Sequence, residues 1–243
     1  ARPAYTNCAS DAQESARRNL VFDDLPHTED EARKLQALLS GRKCKTRLLI
    51  KREATADRLR AVRAPTLLHI AAHGFCLKYS PEPHTSGSCL ERALAAESNP
   101  LMRCGVALAG AQDFQKGNRS PSSGESGILT AQEITAMDLH GTELVTLACC
   151  QSGRGDICLG EGVHSLARAF AVAGARSMLV TLANVKDSAA MQFMDRFYKG
   201  LLQDGLSRAA ALREAQLALS GTFPPSDWGA FVLIGAHGPL NIE

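Results

Sequence analysis

The sequence predicts an α/β fold, in which a mostly parallel central sheet is flanked by helices. Two observations support this prediction. Short continuous apolar runs at residues 66–72 and 144–149 are typical of strands that are buried on both faces. From Leu144 onward, such runs alternate with segments of helical length, and this alternation is typical of crossover helices that join parallel strands.

The composition is that of a folded globular protein. The chain has 243 residues, is 45% hydrophobic and carries 27 basic against 25 acidic residues. These values exclude disordered and fibrous classes. The near balance of charge gives no reason to expect direct nucleic-acid or membrane binding. No apolar run reaches the roughly 18 residues that a membrane helix needs, and residues 1–20 have no signal-peptide core.

Length and cysteine usage define the expected organisation. We expect residues 1–20 to be a lead-in segment and residues 21–243 to form a single domain. The chain begins at Ala1 rather than Met, so we expect a fragment of a larger protein. Its eight cysteines include no paired C-x-x-C spacing, which indicates mostly free thiols in a reducing cytoplasm and no metal site.

The first half of the chain contains fewer clear elements. Thr28-Glu29-Asp30-Glu31 is a capping box that predicts a helix ending at Gly41. Residues 46–50 are a possible short strand, and residues 54–60 a short helix. The run at 66–72 predicts a central strand that ends at His73-Gly74. Residues 76–103 are read as an excursion, and residues 105–109 as a further buried strand.

The second half is more regular. Residues 113–127 are rich in Ser, Gly, Asn and Pro, which favours a mobile or functional loop. Thr130-Ala131-Gln132-Glu133 is a second capping box and predicts a short helix. Three more strands are predicted at residues 144–149, 177–182 and 230–234, and three helices at residues 162–174, 188–202 and 207–219.

Two predicted strands end in reactive side chains. One is followed by His73-Gly74 and the other by Cys150, and ligands of open parallel sheets bind beyond the carboxyl ends of the strands. If these strands are neighbours, His73 and Cys150 form a dyad for nucleophilic attack on a carbonyl. The Gly74 and Cys150 amides would then form an oxyanion hole. The alternative is that each residue is structural, as a single His or Cys at a strand end usually is.

Four motifs give the sequence a family resemblance. In chain order they are LHIAAHG at 68–74, GILTAQEI at 127–134, LACCQSG at 147–153 and WGAFVLIG at 228–235. With the segment from Leu25-Pro26 to Glu31-Ala32, they resemble the CHAT family of caspase-like peptidase domains, which is related to separases and caspases. The resemblance covers roughly residues 25–235.

The resemblance implies a cysteine endopeptidase with a caspase-like three-layer fold, acting on a protein or peptide substrate without a cofactor. His73 matches the family histidine, and Cys150 the nucleophile. Cys149 stands where the family has a small residue, so we expect a buried core thiol there. We expect His69 to sit inside the sheet. The resemblance also implies a regulatory TPR region or partner and a cytoplasmic, often bacterial setting, such as defence or cell-death signalling.

The chain departs from the family after the strand at 177–182. The family has a Trp-Pro-Val-Asp-Asp-like turn, whereas this chain reads Ala183-Asn184-Val185-Lys186-Asp187. Asp187 matches an acid that receives a basic P1 side chain in separases, so it is a candidate for the S1 pocket. The alternative is that Asp187 is the N-cap of the following helix. The altered turn also keeps open a catalytically inactive, caspase-like interaction module. A redox or flavodoxin-like domain is a third reading, although the chain lacks a C-x-x-C pair and a phosphate loop.

Overall fold

A computed structural model describes residues 22, 25–42, 44–77, 79, 98–112, 127–148, 161–183 and 185–241, the first four residues of the helix at 161–172 by backbone alone. The elements in this part of the chain are, in order, α1 (Thr28–Ser40), α2 (Ala56–Arg60), β1 (Leu67–Ile70), β2 (His73–Cys76), α3 (Pro100–Arg103), β3 (Cys104–Ala107), β4 (Ile128–Thr130), α4 (Ala131–Thr135), β5 (Leu144–Leu147), α5 (Glu161–Val172), β6 (Ser177–Thr181), α6 (Asp187–Leu202), α7 (Arg208–Ser220), α8 (Pro225–Trp228) and β7 (Phe231–Gly235).

The central sheet has four strands in the order β1-β5-β6-β7. β1 and β5 are parallel, as are β5 and β6, whereas β7 is antiparallel to β6. The sheet is therefore mostly parallel and helices flank it, which confirms the predicted fold class and is compatible with a caspase-like three-layer fold.

Alternating side chains of the sheet supply two separate cores. Val145 and Leu147 of β5 belong to one cluster, together with residues of α4 and α5. Leu144 belongs to the other cluster, together with residues of α1, α6 and α7. Met178 and Leu179 of β6 divide in the same way. Because successive strand side chains point to opposite faces, this division places one helical layer on each side of the sheet.

A second, antiparallel sheet joins β2, β3 and β4. The predicted strand at 105–109 is present as Cys104–Ala107, but it lies in this sheet and not in the parallel one. His73 and Gly74 likewise begin β2, whereas they were expected to follow directly on the parallel strand. The continuous apolar pattern thus correctly predicted a buried strand in each case, but it did not reveal which sheet each strand joins.

Three local predictions were wrong. β1 ends at Ile70 and forms an edge of the described four-stranded sheet, with only Ile70 fully buried, so it is not central there. Residues 46–50 form no strand; they are followed by a 3₁₀ turn at Lys51–Glu53. Thr28 does not cap α1, because its hydroxyl donates to the Leu25 carbonyl at 2.7 Å and His27 occupies the N-cap.

The second capping box is confirmed. The Thr130 hydroxyl accepts from the Glu133 backbone N–H, and the Glu133 carboxylate accepts from the Thr130 N–H at 2.8 Å. The remaining predicted strands and helices are present, with ends that differ by one or two residues. The predicted lead-in at 1–20 lies outside the described residues, as does nearly all of the loop at 113–127.

Cys76 and Cys104 form a disulfide between β2 and β3. They are paired in the register of the antiparallel ladder, with Cα atoms 4.0 Å apart. The expectation of free thiols is therefore wrong for this pair. Cys44 is a free, half-buried thiol. No helix in the described part of the chain is long and apolar enough to cross a membrane.

A buried ion-pair network anchors the amino end of β5. The carboxylate of Glu143 contacts the guanidinium of Arg208, which is 2% exposed, and lies 2.6 Å from Nη1 of Arg176. Arg208 also donates to the carbonyls of Gly238 and Pro239. Burial opposes ionisation of Glu143, but the hydrogen bonds from both arginines outweigh it and lower its pKa.

Candidate active site

The two strands that lead toward the predicted dyad are direct neighbours. β1 and β5 run parallel with Ile70 opposite Leu147, and the Ala148 N–H continues the ladder by donating to the Ile70 carbonyl at 2.9 Å. The condition on which the predicted dyad depends is therefore met, and both strands end at the same edge of the sheet. Cys150 itself, like Cys149 and residues 151–160, lies outside the described residues.

His73 is the first residue of β2 and leaves the central sheet at this edge. It is 6% exposed and pairs with Ala107 of β3. Its imidazole packs beside the Phe22 ring, with centroids 5.6 Å apart. The backbone pairing and the aromatic contact together fix the position of the histidine, so its ring is held in a largely water-excluded place.

The backbone of β2 leaves the Gly74 amide on the side away from β3. The Leu77 N–H donates to the Arg103 carbonyl at 3.0 Å, so this pair is a hydrogen-bonded position of the antiparallel ladder. Hydrogen-bonded positions alternate along such a ladder, which makes His73 bonded and Gly74 non-bonded. The orientation of the Gly74 N–H is therefore compatible with an oxyanion donor.

Asp187 is the first residue of α6, just beyond the end of β6. Its Oδ2 accepts a hydrogen bond from the His27 backbone N–H at 3.1 Å. The N-cap position belongs to Lys186, and the expected capping role of Asp187 is wrong. The half-buried carboxylate instead ties the start of α6 to the segment that precedes α1. A negative charge at this position also favours the helix electrostatically.

A second acid near the same edge was missed by sequence reasoning. β7 is antiparallel to β6, so Phe231 lies opposite Thr181 at the end where β1, β5 and β6 terminate. Asp227 belongs to α8, the short helix before β7, is 4% exposed and has an Oδ2 without a hydrogen-bond partner among the described residues. Trp228 is half-buried against the core, and its Nε1 also has no partner among the described residues.

The sequence prediction for His69, that it sits inside the sheet, was only approximate. It lies on the helical side of β1, where its ring contacts Tyr198 of α6 and Glu31 of α1. Glu31 and His69 both belong to the segments that carry the family resemblance, but nothing in those motifs says that the two residues touch. Sequence reasoning did not join them, because they are far apart along the chain.

Comparison with known proteins identifies the family. The sequence model of the CHAT domain matches residues 3–236. The chain belongs to the CHAT domain family. The match begins within the segment predicted to be a lead-in. As a CHAT domain, the protein is a member of the caspase-like superfamily, and the four sequence motifs indicated this family correctly.

Curated relatives place this CHAT domain beside much longer proteins. It is 37% identical over 117 residues to human tetratricopeptide repeat protein 28 and 36% identical over the same length to the mouse protein. The matched region is 47% of this chain but 5% of each relative. The names of these relatives are consistent with an associated TPR region. Both are mammalian, so they do not support the expected bacterial setting.

Proposed function

We propose that this CHAT domain is a cysteine endopeptidase with His73 and Cys150 as its catalytic dyad. The observation that supports the proposal is the parallel pairing of β1 with β5, with Ile70 opposite Leu147. His73 and Cys150 each follow this matched pair by three residues. Three residues of extended chain span at most about 10 Å, so connectivity allows both residues to reach this edge of the sheet.

The reaction uses this chain's own groups. His73 takes the Cys150 thiol proton, the thiolate sulfur bonds to the scissile carbonyl carbon, and the Gly74 and Cys150 amides stabilise the oxyanion. The C–N bond then breaks, and His73 passes its proton to the leaving amine, which leaves a thioester. Water attacks the thioester, His73 takes a proton from it and returns the proton to sulfur, and the carboxylic acid product leaves.

Substitution of the dyad tests this function. We expect Cys150→Ala and His73→Ala each to abolish cleavage of a peptide library, whereas Cys149→Ala retains it. Cys149→Ala is the matched control, since it removes an adjacent thiol of the same size. Activity that depends on Cys149 instead of Cys150 contradicts the assignment.

The specificity proposal concerns Asp187, which we place in the S1 pocket for a basic P1 side chain. Asp187→Asn keeps an oxygen for the His27 N–H but removes the charge. We therefore expect kcat/KM for Arg or Lys at P1 to fall by at least about tenfold, as expected when a charge-assisted hydrogen bond is lost, with no change for an apolar P1. Equal losses for both substrates would mean that Asp187 only holds the helix in place.

The second candidate is an inactive interaction module, favoured by the departure from the family turn at residues 183–187. A peptide acyloxymethyl ketone with Arg or Lys at P1 separates the two functions. Covalent labelling of Cys150 supports the peptidase. Absence of labelling in the full-length protein, with its upstream region present, supports the interaction module.

Regulation and setting complete the proposal. A TPR region outside residues 21–243, or a TPR partner, is proposed to control a single peptidase domain in the cytoplasm. The tetratricopeptide repeat in the name of both relatives supports such a region. Experiments on the full-length protein would identify the protein substrate and the activating signal.

A further inference from the structure

A chain of buried polar side chains connects helix α1 to the strands that lead toward the candidate active site. Nε2 of His69 lies 2.9 Å from Oε1 of Glu31, and Nδ1 of His69 lies 3.1 Å from the Tyr198 hydroxyl. That hydroxyl donates to Oγ1 of Thr146 at 2.7 Å. The four residues belong to β1, α1, α6 and β5, so the chain joins one helical layer to two neighbouring strands.

These groups are almost completely removed from water. The side chains of His69 and Glu31 are 8% and 5% exposed, and Tyr198 and Thr146 are buried. The Nε2 and Oε1 atoms are close, but their alignment falls short of a hydrogen bond. We treat the contact as an ion pair, because ionic attraction depends on distance more than on angle. A buried carboxylate is costly unless a cation faces it.

With Glu31 ionised, the contacts of His69 fit a proton on both of its ring nitrogens. Burial and the nearby charge of Glu31 keep the pKa of Tyr198 above its ordinary value, despite the hydrogen bond to Thr146. Tyr198 is therefore neutral and gives its single proton to Thr146, so its oxygen accepts from Nδ1–H of His69. Nε2 faces a carboxylate oxygen, where only an N–H is favourable. The geometry thus fits a charged imidazolium opposite a charged Glu31.

Other charges near the pair come from both helices. Lys34 of α1 and Asp195 of α6 line the same groove as Glu31 and Tyr198. The Lys34 ammonium lies 3.9 Å from the Met191 sulfur, and Asp195 forms an ion pair with Lys199 at 2.7 Å. Among the described residues, the side chain in ion-pair distance of the Glu31 carboxylate is His69, whose Nε2 lies 2.9 Å from Oε1. The neighbouring element β5 contributes only the neutral Thr146.

We propose that the Glu31–His69 pair is a pH-sensitive latch, which holds α1 on the strand leading to His73 while the imidazole is protonated and weakens when the proton leaves. His69 is opposite Thr146 in the β1–β5 register, and His73 and Cys150 each follow four residues later. The latch therefore lies just below the candidate active site. Its consequence for catalysis rests on the proposed function, whereas the latch itself does not.

The sign of the pH effect follows from the two charges. Carboxyl groups are ionised above their acidic titration range, and an imidazolium loses its charge as the pH rises through the neutral range. Both charges are present at mildly acidic pH, so the latch is closed there. Raising the pH leaves a buried carboxylate without its cation, and α1 loosens.

Nitrogen NMR of the histidine rings tests the latch directly. In the ¹⁵N-labelled 243-residue chain, with His69→Gln to assign the resonance, we expect the His69 ring to carry two protons at pH 6 and one at high pH. A ring that is neutral throughout pH 5–9 overturns the proposal. This readout needs no substitution at Glu31, so it decides the question even if that variant does not fold.

Hydrogen exchange measures how firmly α1 is held. After correction for intrinsic exchange, we expect the protection of α1 amides to fall about tenfold as His69 deprotonates, in line with loss of a charge-assisted contact. Glu31→Gln should remove this pH dependence. Glu29→Gln is the matched control, because Glu29 is on the same helix but pairs at the surface with Arg33 and Lys51. Retained pH dependence in Glu31→Gln overturns the latch.

Peptide cleavage separates the latch from the proposed function. If His69 titrates and α1 loosens while no peptide is cleaved, the latch is supported and the peptidase proposal is contradicted. If cleavage depends on Cys150 but α1 protection does not change with pH, the peptidase is supported and the latch is overturned.

Discussion

Glu143 offers a quantitative test of how the amino end of β5 is held. Replacing it with Leu leaves the guanidinium of Arg208 buried, 2% exposed, and without a carboxylate. Removing one partner of a buried ion pair costs about 3–5 kcal/mol. Because Arg208 keeps its hydrogen bonds to the Gly238 and Pro239 carbonyls, we expect the lower end of that range, about 3 kcal/mol.

The same carboxylate supplies its own control. Arg176 also pairs with Glu143, but its side chain is 57% exposed. Exposed ion pairs contribute about 1 kcal/mol or less, so Arg176→Ala should cost far less than Glu143→Leu. The double variant Glu143→Leu/Arg208→Met removes both buried charges and should recover much of the loss.

Urea unfolding followed by circular dichroism measures these differences through the midpoint, with an unchanged slope as the check on two-state behaviour. The pKa of Glu143 is lowered in the folded protein, so its contribution is present above the carboxyl range of the unfolded chain. This stabilisation is lost as the pH falls through the lowered pKa of Glu143 in the folded protein. The stability of Glu143→Leu should therefore approach that of the wild type in acid. Equal losses for Arg176→Ala and Glu143→Leu at pH 7 would refute the argument.

Four further substitutions test the described structure. Gly127→Ala should lower the free energy of unfolding in urea by at least about 3 kcal/mol, because φ is +68° and a Cβ would lie 2.2 Å from the Ala111 nitrogen. Gly141→Ala is the control: φ is +90° but the space around it is open, so it should cost about 1 kcal/mol. Thr130→Ala should cost about 1 kcal/mol through loss of the capping box, and a change below a few tenths would contradict that role. Asp227→Asn should raise the free energy of unfolding by about 1 kcal/mol, since the buried carboxylate lacks a hydrogen-bond partner at Oδ2; a fall would indicate a structural contact.

Local chemistry explains which parts of the fold were predictable. Thr130 and Glu133 form their box within one helical turn, so the four residues contain all the necessary information. The shared edge of the β1 and β5 carboxyl ends was predictable because parallel strands joined by crossovers end on one side, whereas their direct pairing was only a condition until the structure showed it. Thr28 carries the same type of signal as Thr130, but its hydroxyl is used by the Leu25 carbonyl, a competitor that the motif does not reveal.

Contacts between distant segments account for most of what was missed. The apolar sequence of β3 predicts a buried strand whichever sheet it joins, because periodicity cannot distinguish the antiparallel sheet from the parallel one. Burial of His69 was expected, but its partner Glu31 comes from another layer. Asp227 gave no signal of its own, because one acid before a tryptophan has no periodic or motif context.

The two ends of the central sheet are held by different kinds of interaction, and this difference bears on function. At the amino end of β5, the arginines lower the pKa of Glu143, so its ion pair with Arg208 does not respond to moderate changes of pH around neutrality. Toward the carboxyl end, α1 is attached through Glu31 to a histidine, the side chain that titrates near neutrality. The same helix begins beside the hydrogen bond from the His27 N–H to Asp187, so the proposed latch and the proposed S1 acid contact opposite ends of one short segment. A Glu143→Leu variant should therefore lower stability without shifting the pH profile of cleavage, whereas Glu31→Gln should shift that profile.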